Sequence, residues 1–283
     1  MKVFITGSKG FVGKLLVSEC ERRNIEVIGA DLPEADICSK AIRELVPNGV
    51  DAIIHLAALS SDTNCKNKAY ECFNTNVMGT LNLIDIAEKN NAKQFIFASS
   101  EWVYDNCTDK EIKHEGSIIN VANHISEYAL SKLVSENNLR QKYRYGFCPV
   151  TILRFGIIYG RRIVGRSAVE SIFQSVMNED IVEVGSLDTG RHFIHLSDIV
   201  RGIIFSIGLG GDEIINLNGN KMITLRDIAI VSMDILNKHP KIVEKNSDSK
   251  NVRRISSKKA EFLLNWEAKV DLVTGLKSLV GDN

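Results

Sequence analysis

Val3-Phe4-Ile5-Thr6-Gly7-Ser8-Lys9-Gly10-Phe11-Val12-Gly13 opens the chain and decides its fold. Val3–Thr6 is dense in β-branched and aromatic residues and reads as a short buried strand. The glycines that follow are spaced GxxGxxG. Val12, Leu15, Leu16 and Cys20 then form one apolar stripe of a helix over Phe11–Arg23. In a strand–turn–helix, glycine allows the tight turn, the close approach of backbone to pyrophosphate and the close packing of helix on strand. The helix N-terminus offers N–H groups and the positive end of its dipole to the phosphates. Gly7, Gly10, Phe11, Val12 and Gly13 are therefore expected to bind a dinucleotide.

Working outward, Glu26–Asp31, Ala52–Ala57, Gln94–Ser100 and Val150–Arg154 read as further strands. Asn76–Asn90 and Asn123–Tyr143 carry helical apolar stripes between them. The alternation predicts an α/β Rossmann fold, a doubly wound parallel sheet. Asp31 ends the second strand, 18 residues after Gly13. A carboxylate there accepts from ribose hydroxyls and repels a 2′-phosphate, and no Arg or Lys follows within eight residues, so NAD is expected over NADP. After Gly160 the pieces shorten. Thr224–Asn237 reads as a helix with Thr224 as N-cap, Lys238–Asn251 as a loop and Ser256–Leu264 as a short helix. The division expected is a Rossmann domain over 1–156, with 195–210 returning to it. A smaller C-terminal substrate-binding lobe takes 157–194 and 211–283.

The 283 residues carry 35 basic and 35 acidic side chains, so no nucleic-acid or anionic-membrane surface is expected. The basic cluster Arg253, Arg254, Lys258, Lys259 reads as a solvated face. The short apolar run at the start is not expected to be a signal peptide, and no apolar window is long enough for a membrane span. Cys20, Cys38, Cys65, Cys72, Cys107 and Cys148 make no CxxC pair and no zinc-like spacing with histidine, so reduced thiols, a cytoplasmic protein and no metal are expected.

Tyr128-Ala129-Leu130-Ser131-Lys132 puts a phenol and an ammonium on one helix face at i and i+4. A neighbouring ammonium favours the phenolate. Tyr128 can then act as general base or acid on a substrate hydroxyl, with Lys132 also reaching the cofactor. The strand ending Ala98-Ser99-Ser100 brings Ser100 to the carboxyl edge of the sheet, where ligands bind. His55 is expected to pack beside its strand end and His195 to brace a loop. His114 and His124 read as solvated loop residues, Trp266 as lobe packing and Glu136 as an exposed helix carboxylate.

These motifs together resemble the extended short-chain dehydrogenase/reductase superfamily, and within it the NAD-dependent epimerase/dehydratase family acting on nucleotide sugars. Besides the glycines and Asp31, the matches are Asp36-Ile37, His55-Leu56-Ala57-Ala58, Asn76-Val77-Met78-Gly79-Thr80, Ser99-Ser100, Val103-Tyr104, Tyr128 and Lys132. They continue through Leu153-Arg154, Tyr159-Gly160, Arg191-His192-Phe193-Ile194-His195-Leu196-Ser197-Asp198, Lys259-Ala260 and Leu264-Asn265-Trp266. The resemblance implies a catalytic set of Ser100, Tyr128 and Lys132. Asp36, Ile37, Leu56, Ala57, Ala58, Asn76 and Ser99 would line the NAD site, Asn76 as a brace. Arg191 and Arg254 would hold the diphosphate of a nucleotide-sugar substrate. It also implies a homodimer built on the helices of Asn76 and Tyr128.

Two departures bear on the reaction. Ile157 stands where the family has an Asn that touches substrate. Glu101 and Trp102 follow Ser100 where dehydratases have Asp-Glu and sugar-acid decarboxylases have Glu in the second place. Ser99–Asp105 is similar to a stretch of 4-dehydrorhamnose reductases, and Glu101 is a candidate second acid that would touch substrate. The expectation is a 4-epimerase-like enzyme that oxidises C4 transiently. The alternative is an NAD(P)-dependent reductase of a 4-keto sugar or a sugar dehydrogenase, with net redox turnover. An NAD-sensing binding module would have no need of the Tyr–Lys pair.

Overall fold

The computed structural model describes residues 1–104, 110–162 and 165–280. Asp105 and Cys107, named above, lie outside them. Six strands form the central sheet: β1 (Lys2–Thr6), β2 (Glu26–Ala30), β3 (Ala52–His55), β4 (Phe95–Ser100), β5 (Val150–Phe155) and β6 (Asp212–Leu217). Their order is β6-β5-β4-β3-β1-β2, and the pairings from β2 across to β5 are parallel. The order reverses at β1, where the chain steps out to β2 and back to β3. In an open parallel sheet such a switch point makes the ligand crevice at the carboxyl edge. The fold is the expected Rossmann α/β type.

Three long helices serve this sheet: α1 (Phe11–Arg22), α2 (Gly79–Lys89) and α3 (Glu127–Arg144). Phe4, Ile53, Phe95, Phe97 and Ile152 from the strands share a buried core with Leu83, Ile84 and Ala87 of α2 and Leu139 of α3. Burying each such side chain contributes roughly 1.5–3 kcal/mol. That explains why the strands are apolar on both faces. Asn76 does not start an α-helix: Asn74–Met78 forms one π-helical turn leading into α2. Such wide turns concentrate at functional sites.

Of the described residues, 1–104, 115–155 and 200–216 form one unit, and 110–114, 156–162, 165–199 and 217–280 a second. The second unit has its own core, built from Tyr159, Phe173, Val176, Val182, Phe193, Ile228 and Leu276. Thr224 caps the helix Leu225–Leu236 as read, in a capping box with Asp227. The stretch expected as a loop over 238–251 contains a strand instead. Lys241–Glu244 pairs in parallel with Ile181–Val184, a partner that local polarity does not announce. The strand β6 was likewise hidden between glycine-rich pieces. Among the described residues no helix is long and apolar enough to cross a membrane.

Candidate active site

The phosphate loop is as tight as its glycines imply. Gly7 has φ +71°, and a Cβ there would lie 2.8 Å from the Ala57 nitrogen. A Cβ on Gly13 would lie 2.0 Å from the Gly7 carbonyl oxygen. The loop therefore presses α1 onto β1 and sets Gly7 against Ala57, beyond β3. Gly10 is the N-cap of α1, no side chain caps it, and the first turn carries no acid. An anion is the natural complement of such a helix end. At the end of β2 the Asp31 carboxylate accepts from the backbone N–H of Lys9 (2.7 Å) and of Leu32 (2.8 Å). Sequence reasoning looked for cations after Asp31 and overlooked Lys9 before it. Its ammonium pairs with Glu34 at 2.8 Å, so it is offset by a carboxylate. Asp36 turns its carboxylate onto the Cys38 N–H. Ile37 sends its side chain into the core, where it blocks any Cβ on Gly79. A glycine cradle, an uncapped helix end and an acid at the β2 terminus fit NAD.

The residues expected to react converge at the carboxyl end of β4. Tyr128 lies in the first turn of α3, whose N-cap Ser126 accepts from the Ala129 N–H. Tyr128 and Ser100 are both buried, and the Ser100 hydroxyl, which accepts from the Trp102 N–H at 3.2 Å, is close enough to the Tyr128 phenol to bear on its titration. Lys132, one turn on, donates to the Ala98 carbonyl at 2.8 Å and stands 6.0 Å from the centre of the Tyr128 ring. The protonation states differ from those expected. Burial pushes the Tyr128 phenol up to about 12, with Ser100 pulling the other way. Burial brings the Lys132 ammonium down to about 8, opposed by Cys65, Cys72 and Glu136. The ammonium does not depress the phenol here, because desolvation dominates and the Lys132 head group is turned to the β4 carbonyl.

A set of buried polar residues braces this arrangement. The Asn76 amide accepts from the Leu59 N–H (2.8 Å) and donates to the Leu59 carbonyl (3.1 Å) and Ser131 hydroxyl (2.9 Å). It thus ties the segment after Ala58 to the helix of Tyr128. Thr80 donates to the Asn76 carbonyl, so its oxygen accepts from His55 Nε2, and His55 Nδ1 accepts from Thr6. Burial, then the Lys132 charge, lowers His55 to about 3 and keeps the imidazole neutral. Cys65 and Cys72, which sequence reasoning left as ordinary thiols, pack on Tyr128; the Cys65 thiol donates to the Leu59 carbonyl and the Cys72 sulfur accepts from the Asn76 amide.

Several expectations need correction. Glu136 is not an exposed helix carboxylate: it is 1% exposed and holds Arg154 through Nε (3.0 Å) and Nη2 (2.6 Å). Ser99, expected on the cofactor, donates its hydroxyl proton to Glu136 at 2.5 Å. Glu101, read as a candidate second acid, is buried in the turn Glu101–Tyr104 directly beyond β4. His124 is half-buried with both ring nitrogens enclosed, not a solvated loop residue, whereas His114 is exposed. Arg253 is buried, so the basic cluster is not one solvated face. The signal for Glu136 was in the sequence: it lies at i+8 from Tyr128, on the face of Lys132.

In the second unit Arg191 donates through Nη1 to the carbonyls of Gly190 (2.7 Å) and Asn251 (2.6 Å). Arg254 is exposed on a short strand and close enough to His192 to lower it, after burial. Ile157 packs on the core of this unit. Trp266 is fully buried there and donates to the Asp198 carbonyl, and His195 joins Ser197 to Ser278.

A sequence profile of the NAD dependent epimerase/dehydratase family matches residues 3–217. The chain belongs to that family. It is an enzyme of this class, and its cofactor is NAD. A Methanocaldococcus jannaschii protein provisionally named a UDP-glucose 4-epimerase is 27% identical over 302 residues, covering 98% of this chain and 97% of that one. UDP-glucuronic acid decarboxylase 1 of Arabidopsis thaliana is 26% identical over 302 residues, covering 100% of this chain and 69% of that protein. The crystal structure of Thermotoga maritima UDP-glucose 4-epimerase with UDP-glucose matches with a TM-score of 0.88 at 23% identity, over 99% of this chain and 97% of that one. The family thus includes both epimerase and decarboxylase relatives of this chain.

Proposed function

We propose that this enzyme is a nucleotide-sugar 4-epimerase that oxidises C4 of a nucleotide-diphosphate hexose and reduces it again with inverted configuration. The observation that carries the reading is the buried Ser100–Tyr128 hydroxyl pair at the end of β4, with Lys132 one turn away. Ser100 and Tyr128 hold the 4-hydroxyl, and Tyr128 takes its proton and later returns it. Bound NAD supplies hydride acceptance and return at that carbon. Gly7, Gly10, Phe11, Val12, Gly13, Asp31, Asp36, Ile37, Leu56, Ala57, Ala58, Asn76 and Ser99 are proposed to surround the cofactor. The Ile37 side chain packs in the core and the Ser99 hydroxyl donates to Glu136, which supports a share for these two through their backbone. Arg191 and Arg254 are proposed to take the diphosphate, as an Arg fork suits. The free thiols support a reducing, cytoplasmic setting, and family analogy a homodimer.

Trp102, where decarboxylases carry Glu, weighs against decarboxylation. A net reductase of a 4-keto sugar is the second reading, favoured by the burial of Glu101 next to Ser100, which suits a second acid. One assay separates them. Purified enzyme without added cofactor should interconvert the C4 epimers of at least one member of an NDP-hexose panel, with no net change at 340 nm. Turnover only with added cofactor and a stoichiometric absorbance change would establish the reductase instead.

A further inference from the structure

Tyr128, Lys132 and Glu136 succeed one another at i, i+4 and i+8 along one face of α3, and all three are buried. The Glu136 carboxylate joins two adjacent strands. It accepts from Ser99 on β4 and, at two nitrogens, from Arg154 on β5, and Ser99 and Arg154 are register partners. Ser99 precedes Ser100, and Lys132 is tied to the same strand through the Ala98 carbonyl. The other face of the network is closed as well. The Arg154 guanidinium stacks 4.8 Å from the centre of the Tyr104 ring, whose hydroxyl donates to Asn216 on β6. An ion pair this buried is weak evidence for stability, since apolar residues of like volume often serve as well.

We propose that Glu136, with Arg154 as its counter-ion, is a positioning residue of the reaction: it fixes the end of β4 that carries Ser100 and provides the carboxylate facing Lys132. This rests on the reading of Ser100, Tyr128 and Lys132 as the reacting residues. The groups that face Lys132 are His55 on β3, Cys65 and Cys72 from the short helices Asp62–Cys65 and Ala69–Phe73, and Tyr128 and Glu136 on its own helix. Burial pushes the Cys65 thiol up to about 12, so it is uncharged at neutral pH, and His55 is neutral. Glu136 is the carboxylate of the group, and without it burial draws Lys132 further toward the free amine.

The test uses Glu136→Gln, which keeps the shape and the bonds one oxygen accepts from Ser99 and Arg154 Nε but gives up the one from Arg154 Nη2, and the double variant Glu136→Met/Arg154→Met, which leaves no orphan buried charge. Lys132 is titrated by NMR of protein labelled at lysine Cε, with Lys132→Arg assigning its resonance. The expected result is a lowered Lys132 midpoint in whichever variants fold, larger in Glu136→Gln than in the double variant, which removes a cation along with the carboxylate. With UDP-glucose as substrate, kcat at pH 7 falls about tenfold or more at unchanged KM. A parental Lys132 titration with parental kcat in both variants would overturn the proposal and leave Glu136 as packing. If the parent turns over no NDP-hexose, the functional reading fails while the lysine titration still decides this one.

Discussion

Tyr128 meets two opposed requirements: burial excludes water from the site, and it also makes the phenolate hard to form. In this structure desolvation wins and holds the phenol up at about 12, with Ser100 drawing it back. Tyr128→Phe removes the proton carrier without changing shape. It should lower kcat by about 10²–10⁴-fold while NAD retention stays parental, measured by turnover and by quantifying NAD released on denaturation. His55 gives a pH prediction. Its folded-state value, about 3, lies below the ordinary 6.5, so the unfolded chain binds the proton more tightly. Stability is full above about pH 6.5 and falls as pH drops toward 3, by up to about 1.4 kcal/mol per pH unit from this group. Urea unfolding from pH 7 to 4 should show a shallower loss for His55→Gln than for the parent; equal slopes would count against a neutral buried His55. The convergence of Tyr128, Lys132 and Ser100 at the end of β4 was legible from spacing and motif order. Their protonation states were not, because these follow first from burial and then from neighbours such as Cys65 and Cys72, which reach the site from another part of the chain.

At the level of elements, β1, the glycine loop and α1 read off the sequence to within a residue, since each step there has a local cause. Gly13 illustrates it: the position it occupies is closed by backbone atoms of Gly7 and Ser8. Gly13→Ala must displace the loop from α1, so NAD affinity should fall about tenfold or more, with a loss of roughly 1–3 kcal/mol in stability. Fluorescence titration with NADH and thermal unfolding check both, and unchanged NADH affinity would contradict the phosphate-loop assignment. The strand Lys241–Glu244 and β6 were illegible for the opposite reason. Their strand state is conferred by distant partners, Ile181–Val184 and β5, and not by alternation within their own few residues. The π-helical turn at Asn74–Met78 is a similar case: Asn76 was read as the start of a helix, but its amide is taken by Leu59 and Ser131.

The molecule as a whole combines a sheet that ends in a glycine cradle with a buried hydroxyl pair on the same carboxyl edge. A second unit of 110–114, 156–162, 165–199 and 217–280 carries Arg191 and Arg254. Family membership brings NAD; the choice between epimerisation and net redox turnover rests on whether the hydride taken from C4 comes back to C4. UDP-glucose deuterated at C4, incubated with the purified enzyme without added cofactor and followed by proton NMR and mass spectrometry, tests this directly. The account predicts UDP-galactose that keeps its deuterium at C4, formed by the parent and lost in Tyr128→Phe. Product without deuterium, or no C4 epimer from any deuterated NDP-hexose of the panel, would contradict it.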